Sequence, residues 1–169
     1  PINKFKRPDL KFLLKASSLV GKLLKKKDII VYESTVYPGA TEEKCIPILE
    51  KESGLKLNED FYVGYSPERL SPGDTSHGLE KITKITSGSN KKSSRIIDNV
   101  YKSIVKKGTF PVSSIKAAEA TKIIENTQRD LNIAFVNELT QIFYNLDLNT
   151  KEILDAAATK WNFMKFQPG

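Results

Sequence analysis

Ile29-Ile30-Val31-Tyr32-Glu33-Ser34-Thr35-Val36-Tyr37-Pro38-Gly39-Ala40-Thr41 is the stretch on which the architecture turns. Its first four residues are apolar and β-favouring, without polar alternation, as in a strand buried on both faces of a sheet. Pro38-Gly39 breaks the run. Thr41-Glu42-Glu43 then reads as an N-cap followed by acids in a first helical turn, opening a helix to about Glu52 that Pro47 distorts.

The same alternation extends both ways. Upstream, Leu10, Leu13, Leu14, Leu19, Val20, Leu23 and Leu24 fall at helical spacing within Asp9 to Lys25. Downstream, Phe61 to Tyr65, Lys84 to Gly88 and Thr109 to Ser113 read as strands, with a helix from Ser93 to Val105. Strand, helix and strand joined by short links predict an α/β fold built on a parallel sheet.

At Ser114 the texture changes. From Ile115 to about Leu146 there is no Gly or Pro, which predicts one long helix of roughly 48 Å. Ala120, Ile124, Leu131, Phe135, Leu139, Ile142 and Leu146 share one of its faces. Asn149, with Glu152 three residues on, resembles a capping box for a further helix through Thr159. A helix this long exceeds what one small sheet covers. It predicts two domains, 1–114 and 115–169, the second helical and carrying a subunit contact.

Composition bounds the function. At 39% hydrophobic and 28% charged, the 169 residues read as globular protein. No apolar run reaches the length of a membrane span, and no signal-peptide pattern opens the chain. The single cysteine, Cys45, excludes an internal disulfide and a multi-Cys zinc site and suits a reducing cytoplasm. The net charge of +7 gathers at Lys22 to Lys27 and Lys91 to Lys107. Without a known nucleic-acid motif these patches read as solvated helix faces, not as a nucleic-acid surface. The chain starts without Met and stops after Gln167-Pro168-Gly169, so both ends read as cut.

Three stretches are candidates for chemistry. Glu33-Ser34-Thr35 finishes an apolar strand, at the sheet edge where open α/β folds bind ligands. Tyr65-Ser66-Pro67-Glu68-Arg69 follows the next strand, where a plain surface Glu-Arg pair is the simpler account. Lys122, Asn126 and Arg129 line one stripe of the long helix. They are either its wet side or, because Ile133 continues the stripe with Ile123 and Val136 at its edges, a partly buried site for an anion or oxyanion. Cys45, beside Ile46, Ile48 and Leu49, reads as a small buried hydrophobe. His77 has no His or Cys partner, and no metal is expected.

Glu33-Ser34-Thr35-Val36-Tyr37-Pro38-Gly39-Ala40-Thr41, Tyr65-Ser66-Pro67-Glu68-Arg69-Leu70-Ser71-Pro72-Gly73-Asp74 and Ile124-Glu125-Asn126-Thr127-Gln128-Arg129-Asp130-Leu131-Asn132-Ile133-Ala134 occur in that order. Together they resemble the UDP-glucose/GDP-mannose dehydrogenase family, in its UDP-N-acetylhexosamine 6-dehydrogenase branch. Lys160-Trp161-Asn162-Phe163 and Phe166-Gln167-Pro168-Gly169 fit the same branch. The resemblance implies an internal fragment: the second half of a Rossmann-like NAD-binding domain, then the start of an all-α middle domain that dimerises through the long helix.

It also implies a reaction. The C6 alcohol of a UDP-sugar is oxidised to a carboxylate in two hydride transfers to NAD, through a cysteine thiohemiacetal and thioester, for surface-polysaccharide synthesis. By the same resemblance Lys122 and Asn126 stabilise oxyanions, while Thr35 and Glu68 hold the hydrolytic water with Glu68 as base. Ser34 and Thr35 meet the cofactor. Glu68, Arg69, Lys122, Asn126, Arg129, Trp161, Asn162 and Phe163 meet the substrate.

Departures carry expectations too. These residues hold neither the glycine-rich pyrophosphate loop nor the Gly-Gly-His-Cys segment of the nucleophile, and Cys45 is not its counterpart. Pro72 stands where some members carry a second glutamate. The fragment alone is therefore expected to be inactive, and the rival reading is a non-catalytic module kept for dimerisation or regulation.

Overall fold

A computed structural model describes residues 2–70, 73 and 78–169. The expectations for Ser71, Pro72, Asp74 and His77 lie outside the described residues. The chain forms two compact units, Pro1–Ile123 and Ile124–Gly169.

The first unit runs α1 (Lys11–Gly21), β1 (Ile29–Tyr32), a π-helical turn (Thr41–Cys45) leading into α2 (Ile46–Ser53), β2 (Tyr62–Tyr65), β3 (Lys84–Gly88), α3 (Lys91–Ile104) and β4 (Thr109–Pro111). It ends in the first turns of α4 (Ile115–Asn145). The helix expected over Asp9 to Lys25 is shorter at both ends. Asp9 Oδ1 accepts from Lys11 N at 3.0 Å, and at the far end Asp28 Oδ2 takes the Lys25 N–H at 2.9 Å in a turn that puts Lys27 at a φ of 75°. Thr41 is not the N-cap that its sequence context predicts: Ala40 holds that place, no side chain caps the turn, and the Thr41 N–H goes to Glu119 instead. Downstream, Pro47 lacks the N–H that would close an ordinary helical bond onto Glu43, and the turn before it widens to a π geometry.

The sheet order is β1-β2-β3-β4. β1 pairs with β2 in parallel, as β3 does with β4, and α2 and α3 supply the two crossovers. The α/β class is the one that the alternation predicts. One pairing differs in direction: β2 meets β3 antiparallel, with Gly64 opposite Gly88 and Tyr65 opposite Ser87. Between those strands only the short turn Leu79–Lys81 is helical among the described residues, and an antiparallel pair needs no crossover helix to return the chain to its starting end. The beginning of β3 therefore lies beside the carboxyl ends of β1 and β2.

Phe61 just before β2, Val63 and Tyr65 within it, Leu49 and Cys45 from the α2 region, and Ile115 and Ala118 from α4 are buried together. Full burial of each large apolar side chain stabilises by about 1.5–3 kcal/mol. Gly64 keeps β2 close to its neighbours, because a Cβ there would stand 2.3 Å from Ile97 Cδ1 and 2.5 Å from the Ser87 carbonyl. Gly64→Ala is expected to cost about 1–3 kcal/mol in urea denaturation, since a backbone oxygen cannot rotate away. A cost near zero would mean that β3 shifts freely.

The second unit holds the rest of α4 and α5 (Thr150–Ala157). Asn149 Oδ1 caps α5 by accepting from Glu152 N at 3.1 Å, which is the Asn149 half of the capping box that the spacing predicts, and the helix stops at Ala157, short of Thr159. Within this unit Val136 is buried at 2% exposure, and Ile133 and Leu139 are half-buried. Ile124, Leu131, Phe135, Ile142 and Leu146 on the apolar face stay at least half exposed. The side covered within the unit is thus the one carrying Ile133, not the most apolar one.

Candidate active site

The site grows from the ends of β1 and β2. Tyr32 is followed by Glu33-Ser34-Thr35, and Tyr65 by Ser66-Pro67-Glu68, and the two segments continue side by side. Ser66 N donates to Tyr32 O at 2.9 Å, and Glu68 N donates to Glu33 O at 3.3 Å. Tyr65, fully buried, donates its hydroxyl to Ser34 O at 3.0 Å. Burial, and then the charges of Glu119 and Glu33, push its phenol up to about 12, so it stays a neutral donor.

Glu68 is half-buried, and its Oε1 accepts from Leu70 N at 2.7 Å. Its main-chain carbonyl receives the Nζ of Lys122. That bond joins two motifs more than 50 residues apart and sets an ammonium against the turn that carries the carboxylate. Arg69 points back to the sheet, with NH1 on Thr83 O at 2.6 Å.

Glu119, one helical turn before Lys122, is fully buried. Its Oε2 accepts from Gly39 N at 2.5 Å and its Oε1 from Thr41 N at 2.9 Å. The carboxylate latches the segment after β1 onto α4 at the start of the π turn, where N–H groups lack intrahelical partners. Beneath the turn, Lys84 reaches Pro67 O at 3.2 Å and Glu33 Oε1 at 3.0 Å, and the Tyr101 hydroxyl donates to the same Glu33 oxygen at 2.5 Å. Burial first, and then the bond to Glu33, raise the Tyr101 phenol above its ordinary range.

Ser34 and Thr35 are exposed and line a groove with Leu10, Phe12 and Leu13 of the α1 region. Two hydroxyl-bearing residues at the carboxyl edge of β1 fit part of a dinucleotide site. The structure brings Glu68 and Lys122 together, and Thr35 lies two residues beyond the Glu33 carbonyl that holds Glu68. In the second unit Asn126 is half-buried and accepts from Arg129 NH2 at 3.3 Å. Trp161 is 92% exposed, and Asn162 and Phe163 are also at the surface. Cys45 is fully buried, and burial raises its thiol pKa, as suits an inert core residue. No cluster of metal-binding side chains occurs among the described residues.

Sequence reasoning missed Lys84, Tyr101 and Glu119. A lysine opening the otherwise uncharged run Lys84-Ile85-Thr86-Ser87-Gly88 was a signal for the first. The others carry none beyond the helices they sit on.

Chemically, the arrangement offers a carboxylate on a fixed turn and an ammonium beside it, at the sheet edge where ligands bind. These are the parts of a base and an oxyanion donor.

Comparison with known proteins gives two matches along the chain. The model of the UDP-glucose/GDP-mannose dehydrogenase family NAD binding domain covers residues 1–105, and that of the family's central domain covers 116–169. A UDP-N-acetyl-D-glucosamine 6-dehydrogenase of Pseudomonas aeruginosa is 59% identical over all 169 residues, which are 40% of its own length. Protein CapL of Staphylococcus aureus is 58% identical over the same span, again 40% of its length. The structure of a UDP-D-ManNAc dehydrogenase from Pyrococcus horikoshii superimposes with a TM-score of 0.92 at 33% identity, covering all of this chain and 40% of that one. The chain thus spans about 40% of the length of these relatives.

Proposed function

Because the chain belongs to the UDP-glucose/GDP-mannose dehydrogenase family, we propose that it supplies part of the active site of an NAD-dependent UDP-N-acetylhexosamine 6-dehydrogenase. UDP-N-acetylglucosamine is the first substrate, ahead of the galactosamine and mannosamine isomers, and the product serves surface-polysaccharide synthesis in the cytoplasm. The observation that carries the reading is the Lys122 bond to the Glu68 carbonyl, which unites the two motifs that the reaction needs.

In this reading residues 1–114 are the C-terminal half of the NAD-binding domain and 115–169 the start of the middle domain, a division supported by family matches that end at 105 and begin at 116. Ser34 and Thr35 contact the dinucleotide, whose role when bound is to accept hydride from C6. Lys122 and Asn126 stabilise negative charge on the C6 oxygen, an ammonium and an amide donor one helical turn apart. Glu68, with Thr35, holds the hydrolytic water and takes its proton. Arg69, Arg129, Trp161, Asn162 and Phe163 contact the nucleotide sugar. Two copies pair through α4, whose exposed Ile124, Leu131, Phe135 and Ile142 supply an apolar surface.

Full-length protein given NAD and UDP-N-acetylglucosamine is expected to release two NADH for each uronic acid formed. The 169-residue chain, which contains no G-x-G-x-x-G sequence and has Cys45 as its single cysteine, is expected to give no turnover and weak or no NAD binding, with no tight, saturable titration. Absence of NADH with every UDP-N-acetylhexosamine would refute the enzymatic reading and leave a non-catalytic dimerisation module.

A further inference from the structure

The turn that carries Glu68 is bonded at successive main-chain groups, and one of those bonds comes from a residue with no role in the reaction above. Lys84 opens β3 and is only 1% exposed. Its Nζ donates to Pro67 O at 3.2 Å and pairs with Glu33 Oε1 at 3.0 Å. The Tyr101 hydroxyl donates to that same oxygen at 2.5 Å, and the ammonium stands 5.3 Å from the centre of the Tyr101 ring.

Proline has no N–H, so its carbonyl is the sole main-chain group by which Pro67 can be held. The next residue is held at both of its own groups, Glu68 N by Glu33 O and Glu68 O by Lys122. Glu33 therefore serves the turn twice, with its carbonyl directly and with its carboxylate through Lys84. An apolar side chain of similar length would fill the space under the turn without the cost of desolvating an ammonium. The charge at this position is needed only for what it bonds. The antiparallel placement of β3 makes the arrangement possible, because it sets the first residue of that strand beside the ends of β1 and β2.

We infer that Lys84 is a positioning residue: acting on the Pro67 carbonyl and braced by Glu33 and Tyr101, it sets the direction in which the Glu68 carboxylate leaves its turn. The inference rests on the role proposed above for Glu68 in the hydrolytic step. In that step the water oxygen bonds to the thioester carbon and the C–S bond breaks. Sulfur leaves as thiolate, the carboxylic acid forms, and Glu68 takes the remaining proton of the water. Displacement of a catalytic group by about 1 Å slows a step by roughly 100-fold, so a loosened turn slows hydrolysis selectively and leaves the hydride transfers intact.

The test uses full-length protein with NAD and UDP-N-acetylglucosamine, following NADH by stopped flow and the mass of the acid-quenched enzyme. Glu68→Gln is the reference. Lys84→Met is expected to form the first two NADH per site at near the wild-type rate, then to turn over about 10- to 100-fold more slowly. KM values stay close to wild type, and a covalent sugar adduct accumulates on the enzyme. Tyr101→Phe, which keeps the ring and removes only the hydroxyl, moves the same readouts in the same direction by less, and Lys84→Arg restores part of the rate.

No adduct in Lys84→Met and Tyr101→Phe, alongside a clear adduct in Glu68→Gln, overturns the inference while leaving the base in place. No adduct in Glu68→Gln removes the base assignment, and the inference with it. An equal loss in first and later turnovers marks Lys84 as a folding residue only, which also overturns it. If Lys84→Met is insoluble, Tyr101→Phe decides by the same adduct measurement.

Discussion

Lys122→Met in the full-length protein is expected to lower kcat by about 10²- to 10³-fold, the usual effect of removing one oxyanion donor. The ammonium sits half-buried against the Glu68 carbonyl, so its charge is aimed by protein and not by solvent. Methionine matches the length and much of the volume, which leaves packing intact and removes the charge. The carbonyl of Glu68 then loses its donor as well, and both the hydride and the hydrolytic steps are expected to slow. KM for NAD should move little, because Ser34 and Thr35 sit on a different segment. Steady-state NADH formation checks this. A change smaller than about fivefold, roughly 1 kcal/mol, would mean that Lys122 holds the turn without taking part in the reaction.

Glu119→Leu is expected to destabilise the first unit by about 3–6 kcal/mol, two lost bonds to a charged acceptor at about 1.5–3 kcal/mol each. The side chain is fully buried, and both of its oxygens serve main-chain N–H groups, those of Gly39 and Thr41. Leucine fills the volume and leaves those two donors without a partner and away from water, which is the costly direction of the exchange. Glu119→Gln keeps one acceptor oxygen but turns an NH₂ group toward the other amide, so it should recover less than half of the loss. Urea denaturation of the full-length protein, with hydrogen exchange at Gly39 and Thr41, separates the local from the global effect. A loss below about 1 kcal/mol would show that the loop finds other acceptors. A loss on this scale is a large fraction of what holds a domain folded.

Much of this chain was legible before any coordinates. Ile29–Tyr32 and Lys84–Gly88 read as strands and are strands, and α4 begins at Ile115 and runs to Asn145 as its lack of Gly and Pro requires. Periodicity reports which side chains can be buried together, and that is a property of near neighbours. The π turn before α2 was half legible, since Pro47 announced a distortion without saying which one. On α4 the seven apolar residues of one face suggested a side covered by the domain or by a second subunit, with the Lys122 stripe opposite either wet or partly buried. Within the second unit the covered side is the one carrying Val136 and Ile133, because burial depends on what lies opposite and not on hydrophobicity alone.

The primary structure alone was enough for the α/β class, the order of the elements and the motifs around Thr35, Glu68 and Lys122. Three-dimensional packing was needed for the direction of β3, for the buried Lys84 beneath the Glu68 turn, and for the grip of Glu119 on Gly39 and Thr41. Those contacts join residues as far as 80 positions apart. A bond across that distance leaves no mark on local spacing, because it forms only once separate elements have been brought together by burial of their apolar faces.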